Sequence, residues 1–395
     1  MNESDSNLSR RNLLGLTSKA ALAAAIGNEV LAKTGDSPSS GSPSGDKARK
    51  IINYHPKMKY RKLGKTGLIL SEISLGGHWK NRDAGSFWRD FADEKVPEDV
   101  ARNRTKVVSA CIDAGINYVD ITTGAECLAY GVALKGRREK FIVGADNHRL
   151  CLRRPENVNV KGQTRNIEEC LRHMKTDYLD IWRVQAKQTG RHKLTDLEPA
   201  VEAAEKARKA GKIRHFGLSS HNRRWLQQVI EKYPQVEMVV FPVTAMTKKK
   251  GLPITKENIA EQEQPFPNAK DRTVSIFETV RKHNVGLVTI KPFAGGNIFQ
   301  SFKNKAKFPV MGVGLKEEND LARLTLKCIL TRYDEITCTV PGLTTIYEVD
   351  NAARASYEHS LTITPAEREW LEEMTGERMA QLPSEYQWLR DWDVV

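Results

Sequence analysis

Eight short apolar segments recur along the chain, and a stretch with helical periodicity separates each from the next. The segments are rich in Val, Ile, Leu and aromatic residues, which is typical of strands buried on both faces of a parallel sheet. They are Leu70–Gly76, Asn117–Thr122, Lys140–Ala145, Tyr178–Val184, Ile213–Ser219, Met238–Val243, Val285–Lys291 and Glu335–Pro341. Strands of this kind need helices packed over them, so the pattern predicts an α/β fold.

Helical patterns fill the intervals, and several end at a glycine suited to a helix C-terminus. They are Val100–Ala114, Leu128–Leu134, Thr164–Met174, Leu197–Ala210, Arg223–Lys232, Asp271–His283, Asp320–Thr331 and Tyr347–Tyr357. Eight strand–helix units in about 300 residues predict a closed (β/α)8 TIM barrel. The alternative is an open doubly wound sheet, which would favour a glycine-rich phosphate turn after its first strand. No such turn is present there.

The formal net charge is +13, and basic residues are spread over the predicted helices and loops. Nucleic-acid-binding proteins more often concentrate them on one element with interleaved aromatic residues, so we expect no nucleic-acid partner. Small clusters such as Arg153-Arg154 leave open the attraction of anionic ligands. No window reaches about 18 apolar residues, so we expect a soluble globular protein without a membrane-spanning helix.

Six cysteines occur, and none forms a CxxC pair, which argues against zinc or thioredoxin-like chemistry. They are Cys111, Cys127, Cys151, Cys170, Cys328 and Cys338. Because several lie in apolar segments, we expect buried free thiols and no metal site, with a disulfide left open for an exported chain.

The segment Ser9–Leu14 (SRRNLL) precedes a mildly apolar run and small or branched residues at Val30–Ala32. This order predicts a twin-arginine signal peptide over residues 1–32, the Tat export machinery as a partner, and a periplasmic location. An amphipathic N-terminal helix is the alternative. The Ser-, Gly- and Pro-rich stretch Ser39–Lys50 predicts a flexible linker over 33–57, which leaves 58–395 for the barrel.

Three connections are long: Gly77–Glu98, Thr244–Lys270 and Ala294–Glu317. Each follows the carboxyl end of a predicted strand, where the active sites of such barrels lie, so all three are candidate substrate walls or lids. The tail Gln381–Val395 is rich in aromatic residues and is expected to pack on the barrel or over its mouth.

Local motifs follow one another in an order that covers most of the chain. They are Met58–Leu68, Ser74–Gly77, Ala114–Asp120, Tyr130–Lys140, Thr176–Ile181, Gly211–Ser219, Ile290–Gly296 and Val340–Gly342. Taken together they resemble the aldo/keto reductase superfamily. The resemblance implies a (β/α)8 barrel and a bound NADPH.

The family reduces carbonyl groups with an Asp, a Tyr that donates the proton, a Lys and a His. Asp120 matches the aspartate. By the same comparison Ala125 stands at the tyrosine position, Asp146 at the lysine position and Gln185 at the histidine position. The resemblance therefore implies a divergent member that retains one of the four groups.

Asp146 would bring a second carboxylate close to Asp120. Two buried carboxylates in proximity predict a raised pKa for one of them, which could then transfer a proton. His148 shares a face with Asp146 if the strand continues. Asp120, Asp146, His148 and Gln185 are therefore candidate catalytic residues, and a divalent-cation site or a catalytically silent polar network are the alternatives.

The resemblance also implies contacts with NADP(H) where the fifth, seventh and eighth strands end. The candidate cofactor-binding residues are Ser219, Ser220, Lys291, Gly295, Gly342, Thr344 and Asn351. Gly295 allows close backbone approach, and the turn around Thr344 is expected to donate to a phosphate at a helix N-terminus.

These observations predict a divergent NADP(H)-dependent oxidoreductase acting on a small carbonyl or alcohol, with carbohydrate-derived compounds among the candidates. A non-redox enzyme that uses Asp120, Asp146 and His148, and a catalytically silent ligand-binding barrel, stay open. Because side chains alternate along a strand, one of Trp182 and Arg183 faces the barrel interior, and an interior arginine favours an anionic ligand.

Overall fold

A computed structural model of the 395-residue chain describes residues 51–77, 91–186, 192–245, 275–299, 321–332 and 334–358, with a few residues between 371 and 389. The predicted signal peptide, most of the predicted linker and the central parts of the three long connections lie outside the described residues. No helix within the described ranges is both long and apolar enough to cross a membrane.

The described strands form a two-stranded hairpin and an eight-stranded parallel sheet. They are β1 (Tyr60–Lys62), β2 (Ile69–Ser71), β3 (Leu75–Gly76), β4 (Tyr118–Ile121), β5 (Ile142–Ala145), β6 (Leu179–Gln185), β7 (Ile213–Ser219), β8 (Met238–Pro242), β9 (Gly286–Ile290) and β10 (Ile336–Val340). The ring closes because Ile73 bridges Thr339 in parallel and the Gly76 N–H donates to the Pro341 carbonyl at 3.0 Å. The predicted (β/α)8 barrel is confirmed, and the open-sheet alternative is wrong.

The described α-helices alternate with the barrel strands. They are α1 (Glu98–Asp113), α2 (Gly124–Ala133), α3 (Val160–Met174), α4 (Glu198–Lys209), α5 (Arg223–Lys232), α6 (Ile276–Lys282), α7 (Leu321–Arg332) and α8 (Ile346–Tyr357). Helices α2 and α3 begin four residues earlier than the apolar pattern predicts. Thr123 and Glu126 form a capping box at α2, and the Asn159 side chain accepts from the Gly162 N–H at α3. These caps satisfy free amide groups, so each helix starts at its capping residue, upstream of the predicted start.

Alternation along the strands creates an inner and an outer apolar layer. The inner layer consists of Leu63, Leu70, Tyr118, Ile142, Ile181, Met238, Val240, Val288, Cys338 and Val340. In the outer layer the Trp182 ring lies 5.4 Å from the Phe216 ring, and helix residues cover both. Arg183 therefore faces inward. All six cysteines are buried free thiols, as expected for thiols in apolar segments.

The hairpin of β1 and β2 packs against the amino end of β9. Lys65 N–H donates to the Asn284 carbonyl at 2.8 Å, and Leu63 is buried against Gly286. Gly64 has a φ of 47° in this turn, and a Cβ added there would overlap the Gly286 nitrogen. The hairpin thus covers the end of the barrel opposite the expected active site.

Residues 51–57 pack on the barrel, so the predicted linker boundary at residue 57 is wrong. The Asn53 amide donates to the Ile116 carbonyl at 2.9 Å, and the His55 ring stacks on Tyr357 with centroids 4.9 Å apart. Ile51 is buried. The Ser-, Gly- and Pro-rich composition that indicates a linker ends at Lys50, before these residues.

The described part of the C-terminal tail packs on the barrel, as predicted. Leu382 and Leu389 are buried in one cluster with Ala245 and Ile298, which follow β8 and β9 respectively. These contacts bring the tail to the carboxyl end of the barrel, where the ends of the strands form the mouth.

We expect Gly64→Ala to destabilise the chain more than Gly211→Ala. Both glycines have positive φ, at 47° and 74°, so alanine strains the backbone by roughly 1–2 kcal/mol at either position. Only Gly64 lies against other backbone atoms, whereas nothing lies within 4 Å of a Cβ at Gly211. Overpacking should add about 1–3 kcal/mol to the loss at Gly64, measured by urea denaturation. Equal losses in the two variants would contradict the packing of this turn.

Candidate active site

Five polar side chains meet in the barrel interior near the carboxyl ends of neighbouring strands. They are Asp120 on β4, Asp146 directly after β5, Arg183 and Gln185 on β6, and Ser219 at the end of β7. All five are buried. Buried polar groups in a barrel interior need mutual hydrogen bonds, and these residues form two connected sets.

Asp120 and Arg183 form a bidentate ion pair. Arg183 Nε donates to Asp120 Oδ1 at 2.7 Å and Nη2 donates to Oδ2 at 3.0 Å. Nη2 also donates to the Ile121 carbonyl at 3.1 Å, and Nη1 donates to Ser219 Oγ at 2.9 Å. Burial lowers the pKa of Arg183, but Asp120, Tyr118 and Asp146 together outweigh burial and raise it.

The cation beside Asp120 therefore comes from β6, whereas the family resemblance implied a lysine at the end of β5. The interior arginine was expected to favour an anionic ligand, but its anion is Asp120 of the same chain. Strand alternation could have revealed this pair, because Arg183 and Gln185 share a face and Arg183 is in register with Gly217.

Asp146 belongs to the second set. Its Oδ1 accepts from Asn166 Nδ2 at 2.6 Å and its Oδ2 accepts from Gln185 Nε2 at 2.8 Å. Burial raises the pKa of Asp146 to about 6, although Arg183 and the two amides lower it. Asn166, on α3, was missed in the sequence because one asparagine within a helix carries no distinctive signal.

A raised pKa was expected for one of the two carboxyl groups, and Asp146 has it. The expected cause, repulsion between Asp120 and Asp146, is wrong, because burial raises the pKa and Asp120 is not among the groups that shift it. Because Arg183 pairs with Asp120, the positive guanidinium offsets the field of the Asp120 carboxylate at Asp146. The two carboxyl groups thus have different hydrogen-bond partners.

Gln185 is oriented by two acceptors. Its Nε2 donates to Asp146 and, at 3.1 Å, to the Thr122 carbonyl, which uses both N–H groups and identifies the amide nitrogen. Within the described part of the chain, Gln185 Oε1 has no hydrogen-bond partner. The amide therefore presents an acceptor for a hydroxyl donor at the barrel mouth.

The expected alignment of His148 with Asp146 along one strand is wrong. Strand β5 ends at Ala145, and His148 lies in a turn. The His148 N–H donates to the Thr122 carbonyl at 3.0 Å, which holds the turn against the segment after β4. Side chains alternate between the two faces only within a strand. Beyond Ala145 this alternation does not place the His148 imidazole beside the Asp146 carboxyl group.

Two tyrosines lie near Asp120, and each donates within the protein. Tyr118 Oη donates to Asp120 Oδ1 at 3.1 Å, and Tyr130 Oη donates to the Gly76 carbonyl at 2.9 Å. Burial, with Asp120 nearby, raises the pKa of Tyr118 well above its usual value. Ala125 is buried in the first turn of α2. Asp146, by contrast, has a pKa of about 6, close to neutrality.

The candidate cofactor residues Ser219 and Ser220 follow one another at the end of β7. Ser219 Oγ accepts from Arg183, which leaves its own O–H able to donate. Ser220 Oγ accepts from the Asn222 N–H at 3.0 Å, at the entrance to α5. Ser219 is thus coupled directly to the ion pair, whereas Ser220 shapes the turn.

Lys291 and Gly295 lie in the turn after β9. Lys291 has a φ of 60°, and Gly295 and Gly296 have φ values of 69° and 89°. Such conformations favour glycine, and a lysine held in one is strained by roughly 1–3 kcal/mol. Nothing lies within 4 Å of a Cβ at Gly296, so the turn leaves space for a ligand beside its backbone.

Thr344 was predicted to donate to a cofactor phosphate. In the structure, its N–H and its hydroxyl donate to a carboxylate of the same chain instead. Thr344 N–H and Oγ1 donate to the Glu348 carboxylate at 2.6 and 2.7 Å, and the Thr345 N–H donates to it at 3.0 Å. The helix N-terminus already holds an anion, so a phosphate there meets like charge. In the same region Gly342 is exposed and Asn351 is buried on α8.

In the described part of the chain, no group of three or more His, Cys, Asp or Glu side chains could hold a metal ion. The carboxylates of Asp120 and Asp146 instead accept hydrogen bonds from the Arg183 guanidinium, the Tyr118 hydroxyl and the Asn166 and Gln185 amides.

The aldo/keto reductase family model matches residues 85–382 of the 395. The chain belongs to the aldo/keto reductase family. The match spans β4 to β10 and therefore includes both hydrogen-bonded sets in the barrel interior.

Curated relatives are distant. An uncharacterized oxidoreductase of Bacillus subtilis, YqkF, is 24% identical over 213 residues, which cover 51% of this chain and 62% of that protein. A 6-dehydroglucose reductase of Novosphingobium aromaticivorans is 26% identical over 180 residues, covering 42% and 52%. The alignments thus span about half to three fifths of the length of these two relatives.

Solved structures share the fold. An aldo/keto reductase from Klebsiella pneumoniae in complex with NADP and acetate has a TM-score of 0.55 and 16% identity, covering 79% of this chain and 93% of its own. An aldo-keto reductase from Bacillus halodurans has a TM-score of 0.53 and 18% identity, covering 80% and 96%. At these identities the likeness supports the barrel and does not transfer residue roles.

We expect Arg183→Met to lower the free energy of unfolding by about 3–5 kcal/mol, because it leaves the Asp120 carboxylate buried without its partner. Replacing both residues, as in Asp120→Asn with Arg183→Met, should recover most of the loss. Urea denaturation measures both. The control is Arg102→Met, whose exposed pair with Glu98 should contribute less than about 1 kcal/mol. A double variant no more stable than Arg183→Met would contradict the role of the ion pair.

The Asp146 carboxyl should make stability depend on pH between about 4 and about 6. Its pKa rises from 3.8 to about 6 on folding, so the folded state binds the proton more tightly. The raised pKa therefore adds about 3 kcal/mol to the free energy of unfolding below pH 4. This contribution is lost as the pH rises through 6.

Because other groups also titrate, the measurement is the difference in unfolding free energy between wild type and Asp146→Asn at several pH values. We expect wild type to weaken relative to the variant as pH rises. A difference that is flat, or that changes in the opposite direction, would refute the raised pKa.

Proposed function

We propose that the chain is an NADP(H)-dependent oxidoreductase that interconverts a small alcohol and its carbonyl compound, with hydroxyl-rich carbohydrate derivatives as the first candidates. The observation that carries the proposal is the pairing of Asp146, with a pKa of about 6, with a Gln185 amide whose oxygen is left to accept from a substrate hydroxyl. The relative named 6-dehydroglucose reductase supports a sugar-derived substrate.

The residues around the mouth fit a nicotinamide cofactor in part. The Klebsiella pneumoniae structures contain NADP or NADPH, and this family membership supports the same cofactor here. The Ser219 hydroxyl, the Lys291 ammonium and the open turn at Gly296 are groups that would hold it. The Thr344 turn does not fit a phosphate, because Glu348 takes its donors. When bound, the cofactor supplies or accepts the hydride.

The chain's own groups supply orientation and proton transfer. Arg183 has five N–H groups, and four of them are used by Asp120, Ile121 and Ser219. The remaining Nη1 N–H can donate to a substrate oxygen and stabilise charge that develops on it. Gln185 Oε1 accepts from a substrate hydroxyl.

Asp146 accepts the proton when an alcohol is oxidised and returns it when a carbonyl is reduced. A pKa near neutrality lets one group serve both directions, and such a group contributes roughly 10²- to 10⁴-fold to the rate. The carboxylate form prevails above pH 6, so oxidation should accelerate as pH rises through that value and reduction should slow.

The test uses the full chain, NADPH binding by fluorescence, and turnover followed by nicotinamide absorbance. Substrates are a panel of aldehydes, ketones and sugar alcohols at pH 5 to 8. We expect binding, turnover of at least one class, and a pH profile that Asp146→Asn abolishes together with roughly 10²-fold or more of the rate.

The matched control is Asp177→Asn, the same change at an exposed position, which should leave the rate and the profile unaltered. Absence of NADPH binding would overturn the redox proposal. Turnover of a substrate without nicotinamide would favour a non-redox enzyme that uses the same carboxyl group. Binding of NADPH without any turnover would favour a ligand-binding barrel.

A further inference from the structure

Arg153 occupies a defined position beside the proposed active site. It follows β5, and its Nε donates to the Ala186 carbonyl at 2.9 Å. The preceding residue, Leu152, donates its N–H to the Gln185 carbonyl at 3.1 Å. These two bonds fix the base of the arginine against the carboxyl end of β6, next to the amide that orients Asp146.

Arg153 forms no ion pair within 4 Å with a carboxylate among the described residues, although the buried Asp146 carboxylate is near enough to raise its pKa. Arg61, Arg138 and Arg183 each form an ion pair with a carboxylate. Among the described residues, Arg153 donates only to the Ala186 carbonyl, which leaves the Nη1 and Nη2 edge of the guanidinium without a hydrogen-bond partner there. The side chain is half-buried, so this edge is reachable from the mouth.

The guanidinium is in an unfavourable environment for a charge. Burial lowers the pKa of Arg153, Cys151 and Asp146 oppose this shift, and the nearby Arg183 guanidinium lowers the pKa further. The Asp146 carboxylate favours the charge without forming an ion pair with it, so an anionic ligand within hydrogen-bonding distance would recover further free energy. The Nη1 and Nη2 edge matches the two oxygens of a carboxylate in geometry as well as in charge.

Other basic groups lie around the same mouth. His221 follows β7 and Lys291 follows β9. Burial lowers the pKa of His221 well below its usual value, and the charges of Lys291 and Arg153 lower it further, in that order. Both cations are therefore close enough to act on one imidazole. A neutral His221 adds a hydrogen-bonding group, while the two cations give the entrance a positive field.

We propose that Arg153 binds a carboxylate on the substrate, at the end remote from the reacting carbon, so that the preferred substrates are hydroxy acids and the corresponding aldehyde or keto acids. This inference rests on the proposed oxidoreductase function and narrows its substrate class. The position of Arg153 against β6, beside Gln185, favours the substrate over the cofactor as its ligand.

The test compares succinic semialdehyde with butanal, aldehydes of equal chain length with and without a carboxylate. Wild type should show a kcat/KM at least about tenfold higher for the charged aldehyde. Arg153→Met should lower kcat/KM for succinic semialdehyde by roughly 10- to 100-fold, mainly through KM, and should change that for butanal by less than about twofold.

The matched control is Arg154→Met, which removes one positive charge at the adjacent, exposed position. It should leave both substrates within about twofold of wild type. Arg153→Lys should recover only part of the preference, because an ammonium does not bind bidentately. Equal effects of Arg153→Met on both aldehydes would overturn the proposal. So would a weakened NADPH affinity in that variant, which would assign Arg153 to the cofactor.

Calorimetric titration with succinate separates this inference from the proposed function, because it needs no turnover. If neither aldehyde is reduced, the redox function fails for these substrates. Succinate binding that Arg153→Met abolishes and Arg154→Met preserves would still support the carboxylate site. Absence of succinate binding to wild type, with or without NADPH, would overturn it.

Discussion

The interior of this barrel depends on the ion pair between Asp120 and Arg183. Removing two charges from water is costly, and the cost is recovered only when geometry is close and the remaining donors are satisfied. Here the guanidinium bonds both carboxylate oxygens, the Ile121 carbonyl and the Ser219 hydroxyl. The pair thereby connects β4, β6 and β7 across the barrel interior, and holds the end of β7 where the family contacts its cofactor.

The same pair explains why the second carboxyl group behaves differently. Arg183 is engaged by Asp120, so Asp146 receives only part of its field and is otherwise stabilised by the amides of Asn166 and Gln185. Burial then prevails and brings the pKa of Asp146 close to neutrality. Two carboxyl groups in one barrel, one in an ion pair and one with a pKa near neutrality, are a common basis for dividing structural and proton-transfer roles.

The charged groups inside the barrel and those at its entrance differ in whether they are neutralised. Deep inside, Arg183 is neutralised by Asp120, whereas Arg153 at the rim forms no ion pair with a carboxylate in the described part of the chain. On the opposite side of the ring, Glu348 occupies the N-terminus of α8 and takes its donors. Anionic ligand groups are therefore favoured near β6 and disfavoured at the Thr344 turn.

Sequence alone predicted the barrel, because eight strand–helix units without a glycine-rich phosphate turn after the first strand favour ring closure over an open sheet. The family resemblance located Asp120, Asp146 and Gln185 at strand ends. It could not determine which groups pair. A strand pattern gives the face of a side chain but not its neighbour across the ring, so the Arg183 and Asn166 contacts appeared only once β4, β6 and α3 were brought together. The turn that follows β5 likewise decided that the strand ends at Ala145. The alternation of side chains along a strand could not place His148 beyond that residue.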